Sequence, residues 1–272
     1  MSNPEYHQHE EFQNRSRKLA EMKALGIDPY PPKYLATQKA AELTAEMEGQ
    51  EVGHSEDASQ GNTLHACISG RLVLFRAMGK NAFAQLQDET GRLQVMFNRD
   101  ETKVEGLVEG QEITPLKFIE KKLDLGDIIG VEGHLFRTQR GELTLFAKKV
   151  TVLCKSLLPL PDKHSGLADK GILYRKRWLD MITNPESLER FRRRSKILLS
   201  IRKYFEEAGF EEVETPVLQN TYGGAQAKPF MTHLNALDQE MFLRISLEIP
   251  LKKLIVGGMQ KIYDIGKVFR NE

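Results

Sequence analysis

Apolar residues recur at roughly helical spacing at the start of the chain and in alternate positions further on. Between residues 10 and 25 they lie among charged residues, and Gly26 follows, which predicts an amphipathic helix with a glycine stop. A second helix is predicted at about residues 38–48. The polar segment 49–61 contains no Phe, Tyr or Trp, and we expect it to be a loop or partly mobile.

Residues 64–157 alternate with the two-residue period of a strand. Two of the turns between the predicted strands close on glycine as hairpin loops do, at Gly91 and Gly141. The predicted strands are 66–75, 83–87, 92–97, 127–135 and 143–152, with a helix at 115–123. Five strands with a helix in that place are the layout of an OB-fold, a small Greek-key barrel that often binds oligonucleotides. Other small barrels also fit the pattern alone.

A proline-containing segment at 157–166 predicts a domain boundary. Further on, Asn184 and Pro185 predict the start of a long helix, as an N-cap followed by a first-turn proline. The helix is predicted to end at Ala208, before Gly209, and its single apolar face is typical of a core helix. The predicted division is a helical extension and linker at 1–62, the OB-fold at 63–156, an interdomain linker at 157–183 and a second domain at 184–272.

Composition is that of an ordinary globular protein, and a length of 272 residues suits two domains. Lysine and arginine outnumber acidic residues between 170 and 203, a pattern as typical of a solvated face as of a binding surface. The two cysteines, Cys67 and Cys154, show no Cys-x-x-Cys spacing, which favours a reducing compartment and argues against a zinc site. No apolar run reaches the roughly 18 residues of a membrane span, and the polar start is no signal peptide. We therefore expect a cytoplasmic protein without a membrane partner.

The end of the chain also alternates like a strand. Within residues 261–272 the pattern places Arg270 and Glu272 on one face of a predicted strand, because residues two apart point to the same side. An arginine there offers a planar cation to a phosphate or carboxylate, and a glutamate offers an acceptor to an exocyclic amine. A shorter strand, 211–216, is predicted to stop at its proline. Because the chain begins with methionine and stops inside a predicted strand, we expect it to be a fragment.

These segments together resemble the class II aminoacyl-tRNA synthetases. Residues 211–216 are similar to the end of motif 1, and Phe269-Arg270-Asn271-Glu272 to the start of motif 2. The glycine loop at 223–230, with the sequence Gly-Gly-Ala-Gln-Ala-Lys-Pro-Phe, and Val256-Gly257-Gly258 resemble the lysyl-tRNA synthetases in particular. Residues 158–180 are similar to the segment that joins the domains of that family. The resemblance implies an α+β multidomain fold, in which an N-terminal OB-fold β-barrel is followed by the first part of a class II antiparallel-sheet catalytic domain, cut off within motif 2.

The resemblance also implies roles for matched residues of the second domain. Arg270 would be catalytic and would bind both the α-phosphate of ATP and the carboxylate of the amino acid. Glu272 would bind the adenine amine of ATP, Glu248 the α-ammonium of the amino acid, and Gly224 would lie beside the amino acid. Without the resemblance, an Arg-x-Glu is more often a surface ion pair, and a first-turn glutamate simply suits a helix dipole. Pro250 stands where the family commonly has tyrosine, which leaves the detailed shape of the pocket open.

For the OB-fold, the resemblance implies anticodon recognition by an aromatic side chain that stacks on a base and a polar one that reads a base edge. Phe83 and Gln94 match these two positions, and Arg76 and Glu142 match less securely. Anticodon loops are single-stranded, so their bases can be splayed onto such a surface. On the residues alone, a lone phenylalanine on a barrel strand is more often part of the core.

The function that the resemblance implies is lysine–tRNA ligation, in which lysine and ATP form lysyl adenylate and the lysine is transferred to tRNA(Lys). It further implies Mg2+ as the companion of ATP, with ligands beyond Glu272, a homodimer at full length, and an inactive 272-residue chain. Two alternatives stay open. One is a synthetase of the aspartyl or asparaginyl type, and the other is a non-catalytic OB-fold RNA-binding paralogue.

Overall fold

The structure is a computed structural model, and it describes residues 5–108, 110, 113–161 and 169–272. The chain divides into two compact units, Met1–Ser165 and Gly166–Glu272. Within the described residues, no helix is long and apolar enough to cross a membrane.

A closed β-barrel forms the centre of the first unit. Its elements are β1 (His65–Met78), β2 (Asn81–Gln87), β3 (Arg92–Asn98), the short β4 (Lys103–Val104), α4 (Pro115–Lys122), β5 (Ile128–Arg137) and β6 (Leu143–Cys154). Antiparallel pairs form between β1 and β2, β2 and β3, β1 and β5, and β5 and β6, and a parallel pairing of β3 with β6 closes the barrel. This connectivity, with helix α4 between the third and fourth long strands, is that of an OB-fold.

Alternate residues of the barrel strands point inward, as the sequence pattern predicts. On β2, Ala82, Ala84 and Leu86 are buried, and the residues between them are half-buried. The fully buried side chains of Phe97 on β3 and Phe118 on α4 are among the largest of this core. Because burying a phenylalanine contributes about 1.5 to 3 kcal/mol, the burial of these two rings stabilises the barrel.

The segment before the barrel packs onto it. Helices α1 (Glu10–Ala24) and α2 (Ala40–Glu46) follow a short 3-10 helix, Glu5–Gln8. Arg15 of α1 is 6% exposed. Its Nη1 donates to three backbone carbonyls of the barrel unit, those of Leu125, Ser156 and Leu158, at 3.1, 3.3 and 3.3 Å. These bonds fix α1 to the end of the barrel.

The loop expected over residues 49–61 is present at 49–54, which lie outside helices and strands, but the expectation is wrong for the residues that follow. These form the six-residue helix α3, Ser55–Gln60, which ends at Gly61 with φ +80°. The Asp57 carboxylate accepts from the backbone N–H of His54 at 2.8 Å and caps the helix. Ala58 is fully buried against aromatic side chains on the outside of the barrel. The sequence pattern did not predict this helix, because a single alanine makes its packing contacts and no helical spacing of apolar residues is present.

The second unit begins with three helices, α5 (Lys170–Arg175), α6 (Arg177–Thr183) and α7 (Pro185–Glu207). Helix α7 starts as predicted, with the Asn184 side chain accepting from the N–H of Glu186 at 3.1 Å, and Gly209 follows it with φ +78°. Its one buried residue is Ser187, and several of its apolar side chains are exposed. In this chain α7 is therefore not a core helix.

Two small sheets and one helix complete the second unit. Strands β8 (Leu218–Gln219), β9 (Met231–Leu234) and β10 (Gln239–Leu243) form an antiparallel sheet in the order β8-β10-β9. Strands β7 (Glu211–Glu212) and β11 (Ile262–Tyr263) pair parallel, and helix α8 spans Glu248–Val256.

The strand predicted over 261–272 is wrong for most of its length, because only Ile262–Tyr263 finds a strand partner. Beyond them, the N–H groups of Phe269 and Asn271 donate to single carbonyls in two different segments, so no ladder continues. Arg270 and Glu272 therefore do not lie on a strand.

Candidate active site and nucleic-acid interface

The loop around Gly224 lies against the start of α8. Gly224 has φ +85°, and a Cβ atom there would be 2.9 Å from Oγ of Ser246 and 3.2 Å from Cβ of Glu248. Only glycine combines this backbone conformation with so close an approach. Oγ of Ser246 also accepts from the backbone N–H of Glu248 at 3.1 Å, which satisfies one of the free donors of the helix. The structure thus brings together two of the predicted site residues, Gly224 and Glu248.

The Glu248 carboxylate is exposed in the first turn of α8. Its Oε1 is 2.6 Å from Nζ of Lys252, one turn further along the helix, and both side chains are well exposed. Exposed ion pairs of this kind are weak, so the carboxylate can exchange this partner for an incoming ammonium group. Pro250, also in the first turns, lines a cavity of about 760 Å³ together with Gly223 and residues 214–216 and 218–222.

Arg270 and Glu272 have exposed side chains. Their segment is fixed by its backbone, because the Phe269 N–H donates to the Arg244 carbonyl and the Asn271 N–H donates to the Lys228 carbonyl, both at 2.9 Å. One anchor lies four residues before Glu248, and the other lies in the glycine loop. Arg270 is therefore held between the two segments that carry the other predicted site residues of this unit.

Arg244 is a buried residue to which sequence reasoning assigned no role. It is 3% exposed, and its Nη1 donates to the carbonyl and to Oγ1 of Thr215, both at 2.7 Å. Its Nε donates to the Lys267 carbonyl at 2.9 Å, and Oδ2 of Asp264 lies 3.5 Å from Nη1. The sequence carries one signal for this role. An arginine directly after the apolar run 241–243 must find partners if the run is buried.

Of the four residues predicted to recognise RNA, Phe83, Gln94 and Arg76 lie on the outward face of the barrel strands. Phe83 on β2 is directly opposite Arg76 on β1 and Met96 on β3. Gln94 precedes Met96 by two residues and so points to the same side, and its Nε2 donates to Oγ1 of Thr144 on β6 at 2.9 Å. Glu142, two residues before Thr144, is exposed at the turn that leads into β6.

Phe83 is half-buried, but it is not part of the barrel core. It packs against a second cluster on the outward face, formed by Ala58 of α3, Met96, Phe136 and Phe146. The interpretation of Phe83 as a core residue therefore holds only in part, because the side chain packs on this outward cluster but stays partly accessible. Helix α3 was missed as a neighbour of this surface because its segment carries no sequence pattern of its own.

Charged groups surround this outward cluster. Nζ of Lys148 donates to the Ser59 carbonyl of α3, pairs with Glu101 and lies 5.2 Å from the ring centre of Phe146. The hydrogen bond from Lys148 holds the pKa of the Glu101 carboxyl below its usual value. Burial lowers the pKa of His134, and the nearby charges of His65 and Lys148 lower it further, so His134 is neutral near pH 7.

The described residues contain no group of three or more His, Cys, Asp or Glu side chains placed to hold a metal ion. Both cysteines are free thiols, Cys67 buried and Cys154 half-buried.

Comparison with known proteins gives the two units separate matches. Residues 66–153 match the family described as OB-fold nucleic acid binding domain, and residues 169–272 match tRNA synthetases class II (D, K and N). The second unit is thus similar to the class II aminoacyl-tRNA synthetases, and the first to OB-fold nucleic acid binding domains. The α+β fold class predicted from the sequence, an OB-fold followed by a class II catalytic region, is confirmed.

Within that class, the chain is homologous to lysine–tRNA ligases. It is 58% identical to "Lysine--tRNA ligase" of Chlamydia caviae over 272 residues, which are 100% of this chain and 52% of the relative. The proteins of the same name from Streptococcus suis and Nostoc punctiforme are 46% and 43% identical over 258 residues, 95% of this chain and 49% and 45% of the relatives. The resemblance to lysyl-tRNA synthetases is confirmed, and the chain spans about half the length of the curated relatives it matches.

Proposed function

We propose that this chain is part of a lysine–tRNA ligase. The observation that carries the proposal is the assembly of three matched segments in one unit: the glycine loop at Gly224, the start of α8 at Glu248, and the segment of Arg270. The names of the relatives indicate lysine as the amino acid, which favours this function over that of an aspartyl- or asparaginyl-type synthetase.

The proposed reaction begins with nucleophilic attack on ATP. A carboxylate oxygen of lysine forms a bond to the α-phosphorus, the bond from that phosphorus to the bridging oxygen breaks, and pyrophosphate leaves. Arg270 would neutralise negative charge on the α-phosphate and orient the lysine carboxylate, since a guanidinium can donate to two oxygens at once. Glu248 would hold the lysine α-ammonium against the glycine loop. Glu272 would accept from the adenine amine. A terminal ribose hydroxyl of tRNA would then form an ester bond to the lysyl carbonyl carbon of the adenylate, as the bond from that carbon to the phosphate oxygen breaks and AMP leaves.

The barrel would bind the anticodon of tRNA(Lys). Phe83 offers an aromatic surface, Gln94 offers an amide for a base edge, and Arg76 lies directly opposite Phe83 as a cation for the backbone. Stacking on an aromatic side chain is worth about 1 to 3 kcal/mol per base and requires unpaired bases, which an anticodon loop supplies.

Further parts of the proposal concern the whole protein. ATP is a substrate, and magnesium is its companion; we assign the ion no ligand in this chain. A cytoplasmic setting fits two free thiols and a partner such as tRNA. The exposed apolar side chains of α7, Ile197, Leu199, Ile201 and Tyr204, suit a two-fold interface, so the whole protein should sediment as a homodimer at micromolar concentration. Sedimentation as a monomer would contradict this part.

The test of the catalytic proposal is Arg270→Ala in the whole protein, measured by lysine-dependent exchange of pyrophosphate into ATP. Loss of the contact should slow exchange by on the order of 10² to 10³, or about 3 to 4 kcal/mol, because charge builds on the α-phosphate in the transition state. Arg270→Lys should rescue poorly, since a point charge cannot bridge two oxygens. Arg175→Ala, at another exposed arginine of the same unit, is the matched control and should leave exchange unchanged.

Near-normal exchange by Arg270→Ala would overturn the catalytic assignment, and a non-catalytic RNA-binding paralogue would then be the better description. Exchange driven by aspartate or asparagine and not by lysine would instead favour the aspartyl or asparaginyl type. We expect the 272-residue chain alone to be inactive in this assay.

A further inference from the structure

We propose that Arg244 is a positioning residue that sets the place of Arg270 relative to the segment of Glu248. The inference rests on the proposed function, because it concerns the geometry of the same site. The buried side chain of Arg244 touches no substrate. It would hold the phosphate-binding segment of Arg270 against the amino-acid-binding segment of Glu248.

The first observation is that Arg244 joins three separate stretches of chain. Its side chain donates to Thr215 and to the Lys267 carbonyl, and its backbone N–H donates to the Val217 carbonyl at 2.9 Å. Its own carbonyl accepts from the N–H of Phe269 at 2.9 Å. Residues 267 and 269 are therefore both bonded to Arg244, one through the side chain and one through the backbone, and Arg270 is the next residue.

The second observation is that the charge of Arg244 is compensated inside the protein. Oδ2 of Asp264 accepts from Oγ1 of Thr215 at 2.6 Å and from its N–H at 3.2 Å, and it lies 3.5 Å from Nη1 of Arg244. The side chains of Arg244 and Asp264 are 4% and 5% exposed. Buried pairs with full hydrogen bonding hold a fixed geometry, because breaking one leaves an unpaired charge.

The third observation is the close approach of the chain at Gly266. A Cβ atom there would lie 2.2 Å from Nη2 of Arg244, so the backbone of residues 264–267 wraps directly over the guanidinium. An arginine supplies several donors in a rigid planar fork, whereas a lysine at this place could not reach Thr215 and Lys267 in the same orientation. The arrangement thus needs arginine specifically.

The consequence for chemistry follows from the chain order. Arg244 lies four residues before Glu248, with the fully buried Ile245 between them, and its contacts end one residue before Arg270. A displacement of a reacting or binding group by about 1 Å can slow catalysis by on the order of 10²-fold. Loosening Arg244 should therefore act on catalysis through Arg270 and not only through stability.

The test is a double-mutant cycle in the whole protein, read as kcat/KM of lysine-dependent pyrophosphate exchange. Arg244→Met should lower it by about 10- to 100-fold in the otherwise unchanged protein, but by less than about threefold in an Arg270→Lys background, because coupled residues are not additive. Arg244→Lys should not restore the wild-type rate. The matched control is Arg15→Met, at a buried arginine of the barrel unit whose side chain donates to three backbone carbonyls. It should lower thermal stability and leave exchange unchanged.

An equal fold-loss in both backgrounds overturns the positioning role and leaves Arg244 a stabilising residue. If Arg270→Ala itself keeps normal exchange, the proposed function has failed instead, so the two failures are distinguishable. If circular dichroism shows that Arg244→Met is unfolded, Thr215→Val replaces it in the same double-mutant cycle, because it removes one acceptor of Arg244 and keeps the shape of the Thr215 side chain. A smaller loss of kcat/KM than for Arg244→Met, which again disappears in the Arg270→Lys background, supports the proposal. A loss of kcat/KM that is equal in both backgrounds overturns it.

Discussion

The stacking role of Phe83 makes a prediction that separates recognition from stability. Phe83→Ala removes a ring that is half-buried and packs on the outward cluster of Ala58, Met96, Phe136 and Phe146. Fully burying a phenylalanine contributes about 1.5 to 3 kcal/mol, so the half-covered ring should cost about 1 kcal/mol of unfolding free energy. If the accessible side of the ring stacks on one base, the substitution should also cost about 1 to 3 kcal/mol of binding, or a 5- to 150-fold rise in Kd.

Phe136→Ala is the matched control, because Phe136 belongs to the same outward cluster but is 3% exposed. It should destabilise the barrel by about 3 to 5 kcal/mol, the usual cost of removing a buried ring, and weaken RNA binding only as far as the barrel unfolds. The assay is fluorescence anisotropy of a labelled stem-loop carrying the tRNA(Lys) anticodon, titrated with the 272-residue chain at fixed salt, since phosphate contacts make affinity salt-dependent. Thermal unfolding of each variant is measured alongside.

The reasoning is refuted if Phe83→Ala binds the stem-loop as tightly as the wild type. It is also refuted if Phe83→Ala loses as much thermal stability as Phe136→Ala, because Phe83 would then be a packing residue. A stem-loop with an unrelated loop sequence should bind weakly to all three chains.

Three further predictions follow from particular contacts. Lys155→Met should lower the unfolding free energy of the barrel unit, measured by urea titration, by about 3 to 5 kcal/mol. The reason is that Asp127, which is fully buried and 2.8 Å from Nζ of Lys155, would lose its cation. A loss under about 1 kcal/mol would contradict this. Because the pKa of His134 is lowered in the folded state, its contribution to stability is complete above the ordinary pKa of about 6.5 and is lost as pH falls through the folded-state pKa. The melting temperature of His134→Gln should therefore change less between pH 7 and 5 than that of the wild type, and equal changes in the two proteins would count against this prediction. Gly224→Ala should raise KM for lysine at least about tenfold in the whole protein, since φ +85° and a Cβ 2.9 Å from Oγ of Ser246 force the glycine loop to move. Gly79→Ala, at a glycine with positive φ and open space around it, should leave KM unchanged. Equal effects of the two substitutions on KM would show that backbone strain alone is the cause.

Where local pattern and tertiary environment agree, the sequence was sufficient. The barrel strands alternate because one face is buried, so the period-two pattern, the glycine turns and the helix at 115–122 could be read directly, and the N-cap Asn184 marked the start of α7. The motif residues Gly224, Glu248 and Arg270 were also visible, because a family motif is a statement about residue types at fixed spacing.

Tertiary structure decided what local pattern does not encode. Residues 264–272 alternate like a strand, but a strand exists only where a second segment offers a ladder, and here the backbone is bonded instead to Arg244 and Lys228. Helix α3 depends on one alanine that is buried by long-range contact with the barrel. The role of Arg244 depends on residues 20 to 29 positions away, Asp264 and Thr215, which no periodicity within one segment can report. Contacts between distant segments, and not local propensity, therefore set the geometry of the candidate site.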